Sequence, residues 1–194
     1  MHKRARSWRQ WALSVGLAIQ LATLRSLCDM YDFKPDADLD PSERYRQLCD
    51  AADALTQTEP DQVANMANIA ALIWEFVPGL NWAGFYRVLE QDEGADELVL
   101  GPFVGRPACI RIPIGAGVCG AAAASGETQL VEDVHAFPGH IACDAASRSE
   151  VVVPVKRDGQ VVAVIDLDSP EPARFTEADA AGIENLARIL AHRI

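Results

Sequence analysis

Residues 150–168 read EVVVPVKRDGQVVAVIDLD, two runs rich in valine and isoleucine on either side of Asp158-Gly159. β-Branched residues suit a pleated, half-buried surface, and Asp-Gly readily takes the left-handed conformations of a tight hairpin turn. The stretch predicts two antiparallel strands, over 150–157 and 160–168. Side chains alternate along a strand, so Ala163, Ile165 and Leu167 share one face, while Val162, Val164, Asp166 and Asp168 share the other. Two carboxylates side by side at the end of an apolar strand raise one another's pKa or hold a cation; otherwise the strand end is simply solvated. Whether Glu150 joins them depends on the turn. A two-residue Asp158-Gly159 turn pairs Arg157 with Gln160 and sets Glu150 opposite Leu167, on the wrong face. A three-residue turn sets Glu150 opposite Asp166. A pocket containing all three acids requires the longer loop or a bulge.

Working outward, alternating apolar runs predict further strands at 80–89 (LNWAGFYRVL), in ELVLGPF and CIRIPI, and at TQLVE. Trp82 and Tyr86 share one face of the first, either as core or as an aromatic wall for a small apolar group. Helical spacing appears in SERYRQLCDAADALTQ, where Tyr45, Leu48, Cys49, Ala52 and Leu55 recur. It appears again in DQVANMANIAALIWEFV, with Val63, Met66, Ala67, Ala70 and Ile73 on one side and Pro78-Gly79 as the stop. The final helix follows Thr176, with Asp179 completing a capping box. Residues 115–126, GAGVCGAAAASG, read as a Gly-rich turn entering a short Ala helix whose backbone amides can cradle an anion. About six strands, with helices at both ends and one between the third and fourth strands, give a single α+β domain on an antiparallel sheet.

The chain has 194 residues and a net charge of −11, which argues against a nucleic-acid partner. The charge is unevenly spread. Residues 1–28 carry five basic side chains and no acid, so the remainder holds −16. Residues 1–29 form a basic and apolar extension outside the expected fold, and 30–41 an acidic linker. The five cysteines are Cys28, Cys49, Cys109, Cys119 and Cys143. An odd number without short paired spacings suits neither a disulfide framework nor a zinc site, so no metal is expected. In a reducing cytoplasm such thiols stay free, and those that matter are catalytic or redox-active. Cys143 lies in a Gly- and Ala-rich loop, GHIACDAASRSE (139–150), with His140, Asp144 and Glu150 close in sequence. Small residues admit a ligand and polar neighbours tune a thiol.

Taken together, NWAGFY, LGPFVGRPACIRIPIGAGVCG, EDVHAFPGHIACDAASRSE and VIDLDSP, in this order, resemble the free methionine-(R)-sulfoxide reductases, a family of single GAF-type domains. The resemblance runs from about Ser42 to the C-terminus, making 42–194 the catalytic domain. It implies that Cys143 is the catalytic thiol, Cys109 the resolving thiol, and Cys119 a third cysteine able to pair with the catalytic one. Trp82, Glu150, Asp166 and Asp168 match residues around the substrate. The implied reaction reduces free L-methionine-(R)-sulfoxide through a cysteine sulfenic acid and a disulfide recycled by thioredoxin. It uses no cofactor, takes place in the cytoplasm, and is compatible with a homodimer. Two other readings are a non-catalytic GAF ligand sensor, which would call for an output domain that this length does not accommodate, and a redox switch, which would need the thiols but not the three acids.

Overall fold

The computed structural model describes residues 35, 39–90, 96–139 and 144–194. The extension 1–29, the acidic loop around Gly94, His140 and Cys143 lie outside the described residues.

Helix α1 (Pro41–Thr56) starts one residue before the expected linker boundary. Proline has no N–H to lose at a first helical position, and the Asp40 carboxylate accepts hydrogen bonds from the Ser42 and Glu43 amides. Helix α2 (Gln62–Phe76) is capped by Asp61, which accepts from the Ala64 amide. Its buried stripe runs through Met66, Ile69, Ala70, Ile73 and Phe76. Val63 is 54% exposed, and Ala67 also faces solvent, contrary to the face read from the sequence. The physical reason is Asn65. Its buried amide donates to the carbonyls of Glu59 and Arg193, which turns the helix about that anchor.

Six strands follow: β1 (Trp82–Leu89), β2 (Glu97–Gly105), β3 (Arg111–Pro113), β4 (Gln129–Val131), β5 (Ser149–Arg157) and β6 (Gln160–Ser169). All pair antiparallel in the order β3-β2-β1-β6-β5-β4. Helix α3 (Gly117–Ser125) lies between β3 and β4 in sequence, and α4 (Glu177–Leu190) follows β6. The α4 start has the expected capping box between Thr176 and Asp179. The fold is therefore a single α+β domain, as its sequence pattern indicated.

The sheet separates two apolar clusters. On one face Ala83, Phe85, Val151, Val153, Val155, Ala163, Ile165 and Leu167 pack with α1, α2 and α4. Gly182 is what lets α4 approach α1, because a Cβ there would lie 2.2 Å from the Tyr45 ring. On the other face Trp82, Tyr86, Val152 and Val164 pack with Val118, Cys119 and Ala122 of α3 and with Ile112 of β3.

The β5–β6 hairpin keeps the short turn and still escapes its consequence. Asp158 and Gly159 have φ of 51° and 84°, both positive as a type I′ turn requires, and Arg157 pairs with Gln160. Between Val155 and Lys156 the register then shifts by one residue, so that Val162 is the extra residue of a bulge. Beyond the bulge, Glu150 stands opposite Asp168. Neither turn considered from sequence gave that pairing. The bulge also corrects Val162, which packs with the helix-side cluster while Val161 packs with the other.

Candidate active site

Glu150, Asp166 and Asp168 share the sheet face under α3, because each is aligned by the bulged register and by the pairing of β1 with β6. Trp82 lies opposite Asp168 on β1, and Gly84 opposite Asp166. Glu150 and Asp166 are 6% and 5% exposed, and Asp168 is only partly covered. With Tyr86, Ile112, Ala116, Gly117, Val118, Cys119, Asp144 and Ser147 they line a concavity enclosing about 400 Å³, part of it open to solvent. Trp82 is not among the described lining residues. Its ring is buried, stacks on Tyr86 at 5.9 Å and on Phe103 at 5.3 Å, and its Nε1–H donates to the Arg106 carbonyl. Gly84 leaves the space that this stack needs, since a Cβ would lie 2.4 Å from the Phe103 Cβ.

The cysteines divide. Cys119, in the first turn of α3, is a free thiol, buried, with Sγ 3.9 Å from Glu150 Oε1. Cys109 is disulfide-bonded. Cys49 and Cys119 are both free, so neither is its partner. Cys109 is also tied to the pocket wall, its carbonyl accepting from the Tyr86 hydroxyl at 3.1 Å.

Burial raises all three carboxyl groups. Glu150 is pushed well above the usual carboxylate range by desolvation, then by the charges of Asp166 and Asp168. Asp166 rises to about 6 through desolvation, partly offset by hydrogen bonds from Cys119 and Glu150. Asp168 is raised by desolvation and by Asp166, against a hydrogen bond from Ser147 that favours its anion. The same environment raises the Cys119 thiol far above its ordinary value, first by desolvation and then by Asp166 and Glu150. Cys119 is thus a protonated thiol that can donate to the acids. Asp166 Oδ1 is buried without a hydrogen-bond partner. A pocket of this kind demands protons or a cation. Cys119, Glu150 and Asp166 also bring one metal-type donor atom each to within 4.8 Å of one another, so their geometry would admit a cation of either kind, metal or ammonium.

A family model for the GAF domain matches residues 60–194. The free methionine-R-sulfoxide reductase of Escherichia coli is 47% identical over 148 residues, covering 76% of this chain and 87% of that one. Its Saccharomyces cerevisiae counterpart is 40% identical over 159 residues, covering 79% and 87%. The chain belongs to the free methionine-(R)-sulfoxide reductase family of GAF domains. A solved reductase of this family, from Neisseria meningitidis in complex with its substrate, is 45% identical. It superposes with a TM-score of 0.77 over 83% of this chain and 94% of that one.

Within this reductase-family chain, reading the sequence named the three acids, Cys119 and, beside Cys143, Asp144, but gave Ser147 no place in the pocket. The signal was present, as Ser147 lies with Asp144 in the GHIACDAASRSE loop, and their spacing suits an Asx turn. Asp144 Oδ1 accepts from the Ala146 amide at 2.9 Å. Tyr86 was placed on the Trp82 face, and it is Tyr86 that reaches the concavity. His135 is exposed in a short 3₁₀ turn (Val134–Ala136). Among the described residues no helix is long and apolar enough to cross a membrane.

Proposed function

We propose that this oxidoreductase reduces free L-methionine-(R)-sulfoxide to L-methionine, with Cys143 as nucleophile. The observation that carries the reading is the trio of buried carboxyl groups, aligned on one face by a bulge and held at raised pKa. A sulfoxide oxygen leaves only if it is protonated, and a carboxylic acid that keeps its proton near neutral pH can supply that proton. Glu150 suits this role best. It is almost wholly buried and has two carboxylate neighbours, whose charges add to the desolvation that holds its proton. Asp166 and Asp168 would then hold the substrate ammonium, which gives the unpaired Asp166 Oδ1 a donor.

The substrate carboxylate finds a complement at the start of α3. Ala116 supplies no side-chain cap there. The Gly115, Ala116 and Gly120 amides are already bonded to the Gly120, Pro113 and Ala116 carbonyls, which leaves those of Gly117, Val118 and Cys119 for an anion. A free amino acid presents both charged groups, and a residue inside a protein chain presents neither.

The chemistry balances as follows. The Cys143 thiolate attacks sulfur, the acid protonates the departing oxygen, and the S–O bond passes to cysteine. Methionine is released and Cys143 becomes a sulfenic acid. The Cys109 thiol then condenses with it, losing water and forming a disulfide, and an external dithiol of the thioredoxin class reduces that disulfide by exchange. Cys119, buried and protonated, is less suited to attack than to donate, and the family resemblance makes it a second partner for Cys143. A reducing compartment such as the cytoplasm suits this cycle.

The decisive assay couples NADPH consumption to thioredoxin, thioredoxin reductase and the free R-sulfoxide. Turnover lost in Cys143→Ser is the expected result. No turnover by the wild-type protein, or full activity in Cys143→Ser, would overturn the reading.

A further inference from the structure

Asn81 sits one residue before β1 and outside the lining of the concavity, yet three of its hydrogen bonds reach residues that line it. Its backbone N–H donates to the Asp168 carbonyl at 3.0 Å. Its side-chain Nδ2 donates to Asp144 Oδ2 at 3.1 Å and to Ser147 Oγ at 3.0 Å. An ionised carboxylate can only accept, so the Asp144 contact fixes which end of the amide faces the loop. Ser147 Oγ accepts from Asn81, which leaves its own proton to donate onward. Asn81 thus joins three residues of the concavity wall, Asp144, Ser147 and Asp168.

The other branch holds Asp144, the residue that follows Cys143 in the sequence. Its side chain is 8% exposed, and its near donors are Asn81 Nδ2 and the Ala146 amide. Arg106 lies 3.8 Å away and is 77% exposed, so its contribution is small. The far end of the Asn81 amide, Oδ1, is buried without a donor.

We infer that Asn81 is a positioning residue of the reductase, one residue that ties Asp144 and Ser147, through its side-chain amide, to the backbone of Asp168, through its N–H. The inference rests on the proposed reaction for its effect on turnover, and on geometry alone for its effect on the loop.

The test compares the reduced wild-type protein with Asn81→Asp, Asn81→Ala, Ser147→Ala and the Asn81→Ala/Ser147→Ala pair. Asn81→Asp preserves shape and removes both side-chain N–H donors. Its kcat should fall by about 10- to 100-fold, with KM changed far less, since the lost bonds align groups rather than bind substrate. The double variant should be no worse than the poorer single one, because both single variants lose the same Asn81–Ser147 bond. Thr128→Val provides the stability control. It removes the 2.6 Å bond from Thr128 to Glu184 away from the pocket, and should lower Tm while leaving kcat unchanged.

A second readout does not need turnover. Alkylation of Cys143 by iodoacetamide, followed by peptide mass spectrometry, should speed up in both Asn81 variants as the Asp144 anchor is lost. Wild-type turnover with unchanged kcat in Asn81→Asp overturns the inference, as do strictly additive losses in the double variant. If the wild-type protein does not turn over the sulfoxide, the proposed function fails. The alkylation rates then decide, and equal rates in wild type and variants reject the role of Asn81.

Discussion

The two faces of the central sheet are made from the same strands and obey opposite rules. The face under α1, α2 and α4 buries Val151, Val153, Ile165 and Leu167, and the polar side chains that β5 and β6 bury in phase with them, Ser149 and Ser169, are neutral hydroxyls that donate to the Glu171 and Gly79 carbonyls. The face under α3 buries Val152 and Val164 and then, one pleat further along, Glu150 and Asp166. On the first face every side chain buried from β5 and β6 is apolar or a hydrogen-bonded hydroxyl, so burial opposes no charge. On the second it opposes the ionised form of each acid, and Asp166 Oδ1 has no partner at all. The comparison teaches where this protein places its cost. Stability comes from the helix side, and the destabilised groups are gathered on the other side, where their raised proton affinity can be used.

Substitutions on the two faces should therefore differ in kind. The largest effect belongs to the site. Glu150→Gln keeps the shape and removes the acid, and should lower kcat by about 10²- to 10³-fold, measured by the coupled NADPH assay, with little change in Tm. An equally large loss of Tm would mean that Glu150 supports the fold. On the helix side, Ile165→Ala should cost about 2–5 kcal/mol in urea unfolding, because it empties a fully buried position. KM for the sulfoxide should stay the same. A changed KM would show that the two faces are coupled.

Gly84→Ala tests the acid face from the β1 side. Its new methyl group meets Phe103 and the Trp82 ring, so a loss of about 1–3 kcal/mol is expected in the same unfolding experiment. The fluorescence of the Trp82 stack should change with it.

The smallest effect sharpens the comparison most. Asp166 has its carboxyl raised from 3.8 to about 6 in the folded protein, so the folded state binds the proton more tightly than the unfolded one. Its favourable contribution is complete below about pH 4 and is lost as pH rises through about 6. Glu150 and Asp168 shift in the same direction and extend that loss upward. Asp166→Asn should thus gain stability relative to wild type as pH rises from 4 to 8, by about 1–2 kcal/mol, the cost of the buried amide being common to both ends of the range. Thermal melts across that range would show it. Lower stability at pH 8 than at pH 4, relative to wild type, would contradict the desolvated-acid account.

Much of this was legible in the chain itself. Alternation in 150–168, the Asp158-Gly159 turn and the Thr176–Asp179 box each depend on local geometry, and local geometry is written in adjacent residues. The family motifs carried the identity of the acids and thiols. Helix α2 was misread at Val63 and Ala67 because its rotation is set by Asn65 reaching the Arg193 carbonyl, 128 residues away. Asn81 and Ser147 went unseen for the same reason, since their bond joins positions 66 residues apart.

The hairpin marks the boundary most clearly. By itself the sequence determined that two strands pair around Asp158-Gly159 and that Asp166 and Asp168 share a face, and it left the turn open between two and three residues. Only the tertiary structure decided where Glu150 points. A strand has a period of two, so a single extra residue at Val162 inverts every side chain beyond it relative to the partner strand. No pattern of adjacent residues specifies that extra residue. It is fixed by the fit of Val161 and Val162 into opposite cores, and with it Glu150 joins Asp168 over the pocket rather than Leu167 under the helices.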